Sequence, residues 1–186
     1  MVERLVDVEE VISSILIPPT TKYMKILILT GPAGAGKNTI AEIFAKKRER
    51  CAVVDVDVVR HMFVQPHKAP WAGVEGRVQQ ILGVQNACAL VKNFLQNNCD
   101  VLILDVLSQE TLELYKKEFG AFDLRIVLLL PTFVEIQKRN KARPPRITQQ
   151  EIEMLYKSQE TLRGYDKKID NTNLSAEEVA VELSNL

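Results

Sequence analysis

The sequence predicts a single α/β domain built around an open parallel sheet. Five short apolar runs alternate along the chain with segments whose apolar residues have helical spacing. The first four runs are apolar without interruption, which is typical of strands buried on both faces of a parallel sheet. Alternating strands and helices then require right-handed crossovers. A length of 186 residues is ordinary for one such domain.

The predicted strands cover Lys25–Thr30, Cys51–Asp55, Val101–Asp105, Leu124–Leu130 and the weaker Lys167–Asp170. Between the second and third strands, apolar residues recur on one helical face from Val74 to Leu95, although Gly83 weakens the middle of that helix. Three further helices begin at capping boxes, in which a Ser or Thr and a Glu three residues later bond each other's backbone N–H groups. These boxes start at Thr132, Thr148 and Ser175.

Residues 1–22 stand outside this alternation and are predicted to form an accessory segment, with a short helix over Val8–Ile17, beside a domain of residues 23–186. The 24 basic and 24 acidic side chains balance, which argues against a protein whose main partner is nucleic acid. The sequence shows no secretory signal, no apolar run long enough to span a membrane, and no metal-ligand or disulfide spacing among its three cysteines. We therefore expect a cytoplasmic monomer or homodimer without a membrane partner.

The segment after the first strand fits the pattern G-x-x-x-x-G-K and predicts a polyphosphate site. Glycines let such a loop curl so that its backbone N–H groups point at phosphate oxygens, and the following helix adds its positive end. Lys37 supplies a point charge to the β- and γ-phosphates. The predicted ATP-binding residues here are Gly31, Pro32, Ala33, Gly34, Ala35, Gly36, Lys37, Asn38 and Thr39. Asn38 occupies the usual place of a Ser or Thr that helps to hold Mg²⁺, and its amide oxygen can also ligate a hard cation.

Carboxylates follow the second and third strands, at the edge where ligands of open parallel sheets bind. Asp55 is predicted to hold Mg²⁺, and Asp57 to accept the proton of a substrate hydroxyl that attacks the γ-phosphate. Arg60, one helical turn beyond Asp57, would fix an anionic or polar substrate. Asp105 ends the third strand as acids that assist Mg²⁺ do. The alternative for all three carboxylates is that they cap the next helix or turn.

Five basic residues lie among the ten positions 137–146 and predict a lid. Arg139 and Arg143 are four residues apart and share one helix face, and prolines then end the helix. A basic lid beside an ATP site brings positive charge onto the transferred phosphate. The alternative is a solvated helix end. Trp71, the only tryptophan, either lines a substrate pocket or anchors its own irregular loop.

With phosphate loop, acidic pair and basic lid in this order, the chain resembles the small P-loop kinases, the group of gluconate kinase, shikimate kinase and chloramphenicol phosphotransferase. The resemblance covers about residues 24–184. It implies a P-loop NTPase fold, a three-layer sandwich with a five-stranded parallel sheet whose first strand is central. It also implies an enzyme that, with Mg²⁺, moves the γ-phosphate of ATP to a hydroxyl of a small molecule.

The resemblance further implies roles for single residues. Arg143 would touch the phosphates and act with Lys37 and Asp57 in catalysis, Arg139 would stack on adenine, and Asn171 to Asn173 would lie near adenine. Arg163 falls where shikimate kinase has a substrate arginine, but the glycine motif of that enzyme's third strand is absent here. Two alternatives stay open: an ATP-binding regulatory or resistance protein with little transfer activity, and a nucleotide or polynucleotide 5′-kinase.

Overall fold

The computed structural model describes residues 25–144 and 147–186, which fold around a five-stranded sheet. Its strands are β1 (Lys25–Thr30), β2 (Cys51–Asp55), β3 (Asp100–Leu104), β4 (Asp123–Leu129) and β5 (Lys167–Ile169). The order across the sheet is β2-β3-β1-β4-β5, and every pairing is parallel. The predicted strands are confirmed to within one residue at each end, and β1 is central as the resemblance implied.

Helices cover both faces of this sheet. They are α1 (Lys37–Lys46), α2 (Val56–His61), α3 (Gly73–Gln96), α4 (Gln109–Phe119), α5 (Phe133–Lys141), α6 (Gln149–Thr161) and α7 (Ala176–Ser184). Ile26 and Ile28 of β1 pack in one apolar cluster with α2, α3 and α4, whereas Leu27 and Leu29 pack in another with α1, α5, α6 and α7. Successive side chains of a strand point to opposite faces, so β1 supplies both cores. The predicted three-layer sandwich is confirmed.

The helix starts agree with the capping signals, with one difference. The boxes at Thr148 and Ser175 are complete, each with its Glu bonded back to the cap residue. Thr132 also accepts a bond from the Glu135 N–H group, but the Glu135 carboxylate pairs with Arg139 instead. The third box is therefore half formed, because an ion pair one turn along the helix competes for the same carboxylate.

α3 runs without a break through Gly83, where the sequence predicts a weak point. Gly83 is buried, and a Cβ atom there would lie 2.2 Å from Cγ of Arg60. Real Cβ atoms essentially never approach another atom that closely. The glycine therefore leaves room for the Arg60 side chain to lie directly against the helix.

Two predicted segments fall partly or wholly outside the described residues. They are the accessory segment of residues 1–22, and the end of the basic segment at Pro145 and Arg146. Among the described helices, none is both long enough and apolar enough to cross a membrane.

Candidate functional site

A cavity of about 1200 Å³ opens at the carboxyl edge of the sheet. Parallel strands bring their carboxyl ends to one edge, so the loops after β1, β2 and β3 meet there. The cavity brings together most of the predicted site residues, namely Ala33, Gly34, Ala35, Gly36, Lys37, Asn38, Thr39, Asp55, Asp57, Arg60, Trp71, Asp105, Arg139 and Arg143.

The phosphate loop owes its shape to its glycines. Gly31 has a φ of 146°, and a Cβ atom there would lie 2.2 Å from the carbonyl oxygen of Leu129 on β4. Gly34 has a φ of 92°, and its Cβ atom would lie 2.5 Å from the Nδ2 atom of Asn140. Gly36 then precedes α1 and caps it with no side chain, so the positive end of the helix faces the cavity. This arrangement is a cradle for an anion.

Lys37 folds over the loop that it follows. Its Nζ atom donates to the carbonyl oxygen of Gly31 at 2.6 Å and to that of Pro32 at 3.3 Å. Burial lowers the pKa of the ammonium group to about 8, although the nearby carboxylates, first Asp57 and then Asp105, act in the opposite direction. The lysine is thus desolvated and donates to neutral carbonyl groups, which a phosphate would replace with a charged partner.

Asp55 joins the phosphate loop to α2. Its Oδ1 atom accepts the N–H group of Asp57 at 3.0 Å, and its Oδ2 atom accepts the Nδ2 group of Asn38 at 2.8 Å. The capping alternative therefore holds for Asp55, which is the N-cap of α2. A carboxylate only accepts hydrogen bonds, so the amide nitrogen of Asn38 faces it and the amide oxygen is the atom left for another ligand.

Arg60 forms a hydrogen-bonded ion pair with Asp57. The Nη1 group donates to Oδ1 of Asp57 at 3.0 Å, and Nη2 donates to the Lys68 carbonyl oxygen at 3.2 Å. Arg60 is 8% exposed, whereas the Asp57 side chain is 64% exposed. The guanidinium thus uses two of its N–H groups in hydrogen bonds within the protein, and it fixes the orientation of the Asp57 carboxylate. Substrate contact by Arg60 stays a prediction.

Asp105 lies at the floor of the cavity. Its carboxylate accepts the N–H group of Val106 at 2.7 Å and the hydroxyl of Tyr115 at 3.2 Å. Burial, followed by the charge of Asp57, raises the pKa of Asp105 to about 6. Burial also raises the pKa of Tyr115 well above its ordinary value, so this hydroxyl remains a donor. Sequence reasoning missed Tyr115, because its pairing with the end of β3 has no local signal.

The base of the basic segment is tied to the phosphate loop. Arg139 donates from Nε to Glu135 at 2.8 Å and from Nη2 to the Asn171 carbonyl oxygen at 2.9 Å. Asn171, buried after β5, donates from Nδ2 to the carbonyl oxygen of Ala35 at 2.9 Å. Asn140 makes a similar bond to Ala33, at 2.9 Å, and also pairs with Arg143. Asn171, which is predicted to lie near adenine, thus supports the phosphate loop through its bond to Ala35.

Five predicted residues are absent from the cavity lining that the described residues form, namely Gly31, Pro32, Arg163, Asn171 and Asn173. Arg163 follows the buried Leu162 and turns back to the end of α6, where its Nη1 group donates to the carbonyl oxygens of Glu160 and Leu162 at 3.0 and 2.9 Å. Asn173 is exposed two residues after Asn171 and is absent from the cavity lining that the described residues form.

The residues present fit a magnesium ion shared with a nucleotide. Within residues 25–144 and 147–186, no three His, Cys, Asp or Glu side chains form a group that would hold a metal by itself. Magnesium in such sites usually needs only one or two carboxylates, because substrate phosphates and waters complete its shell. Asp55 and Asp105 both line the cavity with Lys37 and meet that requirement.

Neither a family model nor a curated protein matches the sequence. Solved structures do match it. A sugar kinase from Janibacter sp. HTCC2649 has a TM-score of 0.68 at 12% identity, over 87% of this chain and 93% of that one. The APS kinase of Mycobacterium tuberculosis, in complex with AMPPNP and APS, has a TM-score of 0.61 at 16% identity, over 88% and 96%.

A chain of the Pnkp1/Rnl/Hen1 RNA repair complex has a TM-score of 0.61 at 21% identity over 74% of this chain. This chain spans 44% of the length of that one. Shikimate kinases from Acinetobacter baumannii and Aquifex aeolicus are also structurally similar. At such identities the likeness shows the fold, which is that of the small P-loop kinases, as the sequence motifs predicted.

Proposed function

We propose that this chain is a kinase that transfers the γ-phosphoryl group of ATP to a hydroxyl of a small molecule. The observation that carries the proposal is one cavity lined both by a phosphate cradle with its lysine and by an exposed carboxylate braced by a buried arginine. The first feature suits a polyphosphate, and the second suits a hydroxyl that must lose its proton. Both are needed for phosphoryl transfer.

The nucleotide would occupy the side of the cavity formed by the phosphate loop. Backbone N–H groups of the loop and the start of α1 would bind the phosphates, and Lys37 would turn from the Gly31 carbonyl oxygen to a phosphate oxygen. Arg139 and Asn171 would form the adenine side, and Arg143 would close over the transferred group. Structural similarity to a kinase solved with AMPPNP supports a nucleotide here.

In the proposed reaction, the acceptor oxygen attacks the γ-phosphorus while the bond from that phosphorus to the β–γ bridging oxygen breaks. The hydroxyl proton passes to the carboxylate of Asp57, and ADP leaves with the electron pair of the broken bond. Arg60 keeps that carboxylate in one orientation through its 3.0 Å bond. Magnesium, held by Asp55 and Asp105 together with the phosphates, would neutralise charge on the phosphate oxygens.

A coupled assay of ADP release across sugar acids, polyols, nucleosides and aromatic antibiotics tests the proposal. Lys37→Ala should lower acceptor-dependent turnover by roughly a hundredfold or more, because a preorganised charge on the phosphates is lost. Lys46→Ala is the matched control, since Lys46 lies on the same helix, is itself exposed and pairs with the exposed Glu42. Turnover in the Lys37 variant equal to that of the control would contradict the proposed mechanism.

Asn38 favours a second candidate function, an ATP-binding protein with little transfer activity. Its amide nitrogen is bonded to Asp55, so the hydroxyl that usually helps to hold magnesium is replaced by a group that also occupies a carboxylate. Tight AMPPNP binding without transfer to any acceptor would support this candidate. In that case Asn38→Ser should create measurable ADP release, whereas under the kinase proposal it changes an activity that already exists.

A further inference from the structure

We propose that the acceptor carries a flat aromatic or heteroaromatic ring next to its reactive hydroxyl, and that His61 and His67 form the surface on which this ring stacks. The inference rests on the proposed function, because it names the acceptor class of the same site. A nucleoside has this chemistry, either free or at the 5′ end of a strand. The hydroxyl then lies at Asp57 and the ring lies against the imidazoles.

The two imidazoles are stacked on each other at the cavity wall. Their ring centroids are 4.5 Å apart and their planes are inclined by 29°. Both residues are exposed, and both line the same cavity as the phosphate loop. Stacked rings that remain open to a cavity offer a further face to a planar ligand, and such stacking contributes substantially to binding.

Backbone hydrogen bonds fix both rings. The Nδ1 atom of His61 lies 2.5 Å from the carbonyl oxygen of Asp57, and Nδ1 of His67 lies 3.3 Å from that of Phe63. A carbonyl oxygen only accepts, so each Nδ1 carries the proton and donates it. The rings are therefore oriented before a ligand arrives, and little side-chain freedom is lost on binding.

This surface lies one helical turn from Asp57, so a ring that stacks on it is close to the proposed base. His61 follows Asp57 by four residues in the same short helix, α2. Side chains with this spacing have Cβ atoms about 5–6 Å apart. A ring resting on the imidazoles therefore has its attached carbon chain within reach of the Asp57 carboxylate, without a long linker.

The cavity that the imidazoles line also offers apolar surface that suits a ring. Val58, Pro70 and Trp71 contribute apolar surface, and Gln80 contributes an amide. Trp71 is itself fixed, because its Nε1 group donates to Glu151 at 3.0 Å. Since the chain has one tryptophan, which lines this cavity, its fluorescence reports on the cavity without any mutation.

The first experiment titrates full-length protein, saturated with AMPPNP and Mg²⁺, while the emission of Trp71 is followed. The matched ligands are adenosine and methyl β-ribofuranoside, which share the ribose hydroxyls and differ in the base. Adenosine should bind at least roughly tenfold more tightly, as expected for one stacked base. Equal affinities would overturn the proposal. A 5′-hydroxyl oligonucleotide and 1-phenylethane-1,2-diol, in separate titrations, distinguish a strand end and a non-nucleoside ring from a free nucleoside.

Two variants separate stacking from structural support. His67→Ala should weaken adenosine binding roughly tenfold to a hundredfold, whereas His67→Phe, which keeps a flat ring, should restore most of it. Neither variant should change the affinity for methyl β-ribofuranoside or for AMPPNP. Unchanged adenosine affinity in His67→Ala would overturn the proposal. Because these titrations need no turnover, His67-dependent adenosine binding without ADP release would contradict the proposed kinase activity alone.

Discussion

The two halves of the cavity are built in different ways. The half proposed to bind the nucleotide, called the nucleotide half, comprises residues 31–39 and Arg139, and most of it is one continuous stretch of chain. The half proposed to bind the acceptor, called the acceptor half, comprises Asp57, Arg60, His61, His67 and Trp71, and it depends on contacts with α3 and α6. A glycine motif that can be recognised in the sequence thus shapes the phosphate cradle, whereas the other half has no such motif and depends on packing against α3 and α6. Variants that affect one half and spare the other test this distinction.

Asp57→Asn is expected to separate the effect on turnover from the effect on nucleotide binding more than any other variant. The amide keeps the size of the side chain but cannot take a proton, so turnover with any acceptor should fall by roughly 10²–10⁴-fold. Binding of AMPPNP should change little, because Asp57 is not part of the phosphate loop. Single-turnover kinetics and nucleotide titration measure the two effects separately.

Asp55→Asn is the contrasting variant for that experiment. Asp55 bonds both Asn38 and the N–H group of Asp57, so it connects the two halves. We expect this variant to weaken nucleotide binding as well as turnover. If Asp57→Asn weakened AMPPNP binding as much as Asp55→Asn did, the two halves would not be separable.

Gly83→Ala should disturb the acceptor half, although Gly83 lies on α3, which carries neither the phosphate loop nor the proposed catalytic base. The added Cβ atom would lie 2.2 Å from Cγ of Arg60 and must displace it, which moves Asp57. Misplacement of a reacting group by about 1 Å can lower turnover roughly a hundredfold, so we expect a loss of about tenfold to a hundredfold in kcat. The KM for ATP should stay near its original value.

A double-mutant cycle tests whether this effect acts through Arg60. In an Arg60→Ala background the space around residue 83 is open, so Gly83→Ala should cause little further loss. Gln85→Ala, at an exposed position on the same helix, controls for changes in helix stability. Fully additive losses would mean that Gly83 supports the fold of α3 and not the position of Asp57.

Gly83 also shows where sequence reasoning ends. The strands, the phosphate loop and the place of Asp57 at the cavity were predictable because apolar runs, glycine spacing and strand ends are local signals. Gly83 was interpreted as a weak point of a helix, since nothing in its neighbourhood reveals a side chain 23 positions earlier. The Tyr115–Asp105 bond and the His61–His67 stack were missed for the same reason: each depends on how separate segments approach in space.

A smaller effect, on pH dependence, is expected from the buried charges. The pKa of Asp105 is about 6 and that of Lys37 is about 8. The value of kcat/KM for ATP should therefore fall below about pH 6, as Asp105 gains a proton, and above about pH 8, as Lys37 loses one. Asp105→Asn should remove the acid limb, and Lys37→Arg the alkaline limb, because a guanidinium does not titrate in this range.

The substitution Asp105→Asn should also change the free energy of unfolding, in a direction that can be measured independently of activity. Because burial raises the pKa of Asp105 in the folded state, its ionisation destabilises the fold as the pH rises from about 4 through 6. The asparagine variant lacks this cost and should be more stable than the original chain at pH 8, by about 1–3 kcal/mol, but not at pH 4. A thermal melt at both values measures it. Equal stabilities at pH 8 would mean that solvent or counter-charges relieve the buried carboxylate.

The smallest effect is expected from Trp71→Phe, which probes the contact between the acceptor half and α6. Phenylalanine keeps a flat ring but cannot donate to Glu151, whose other oxygen accepts the Thr148 N–H group at 2.7 Å in the helix cap. Loss of one such bond is worth about 1 kcal/mol, so the KM for the acceptor should rise about twofold to fivefold. The KM for ATP should not change, since α6 would keep its cap. An equal rise in both KM values would show that the bond to Glu151 also positions groups on the nucleotide side, and that Trp71 belongs to both halves of the cavity.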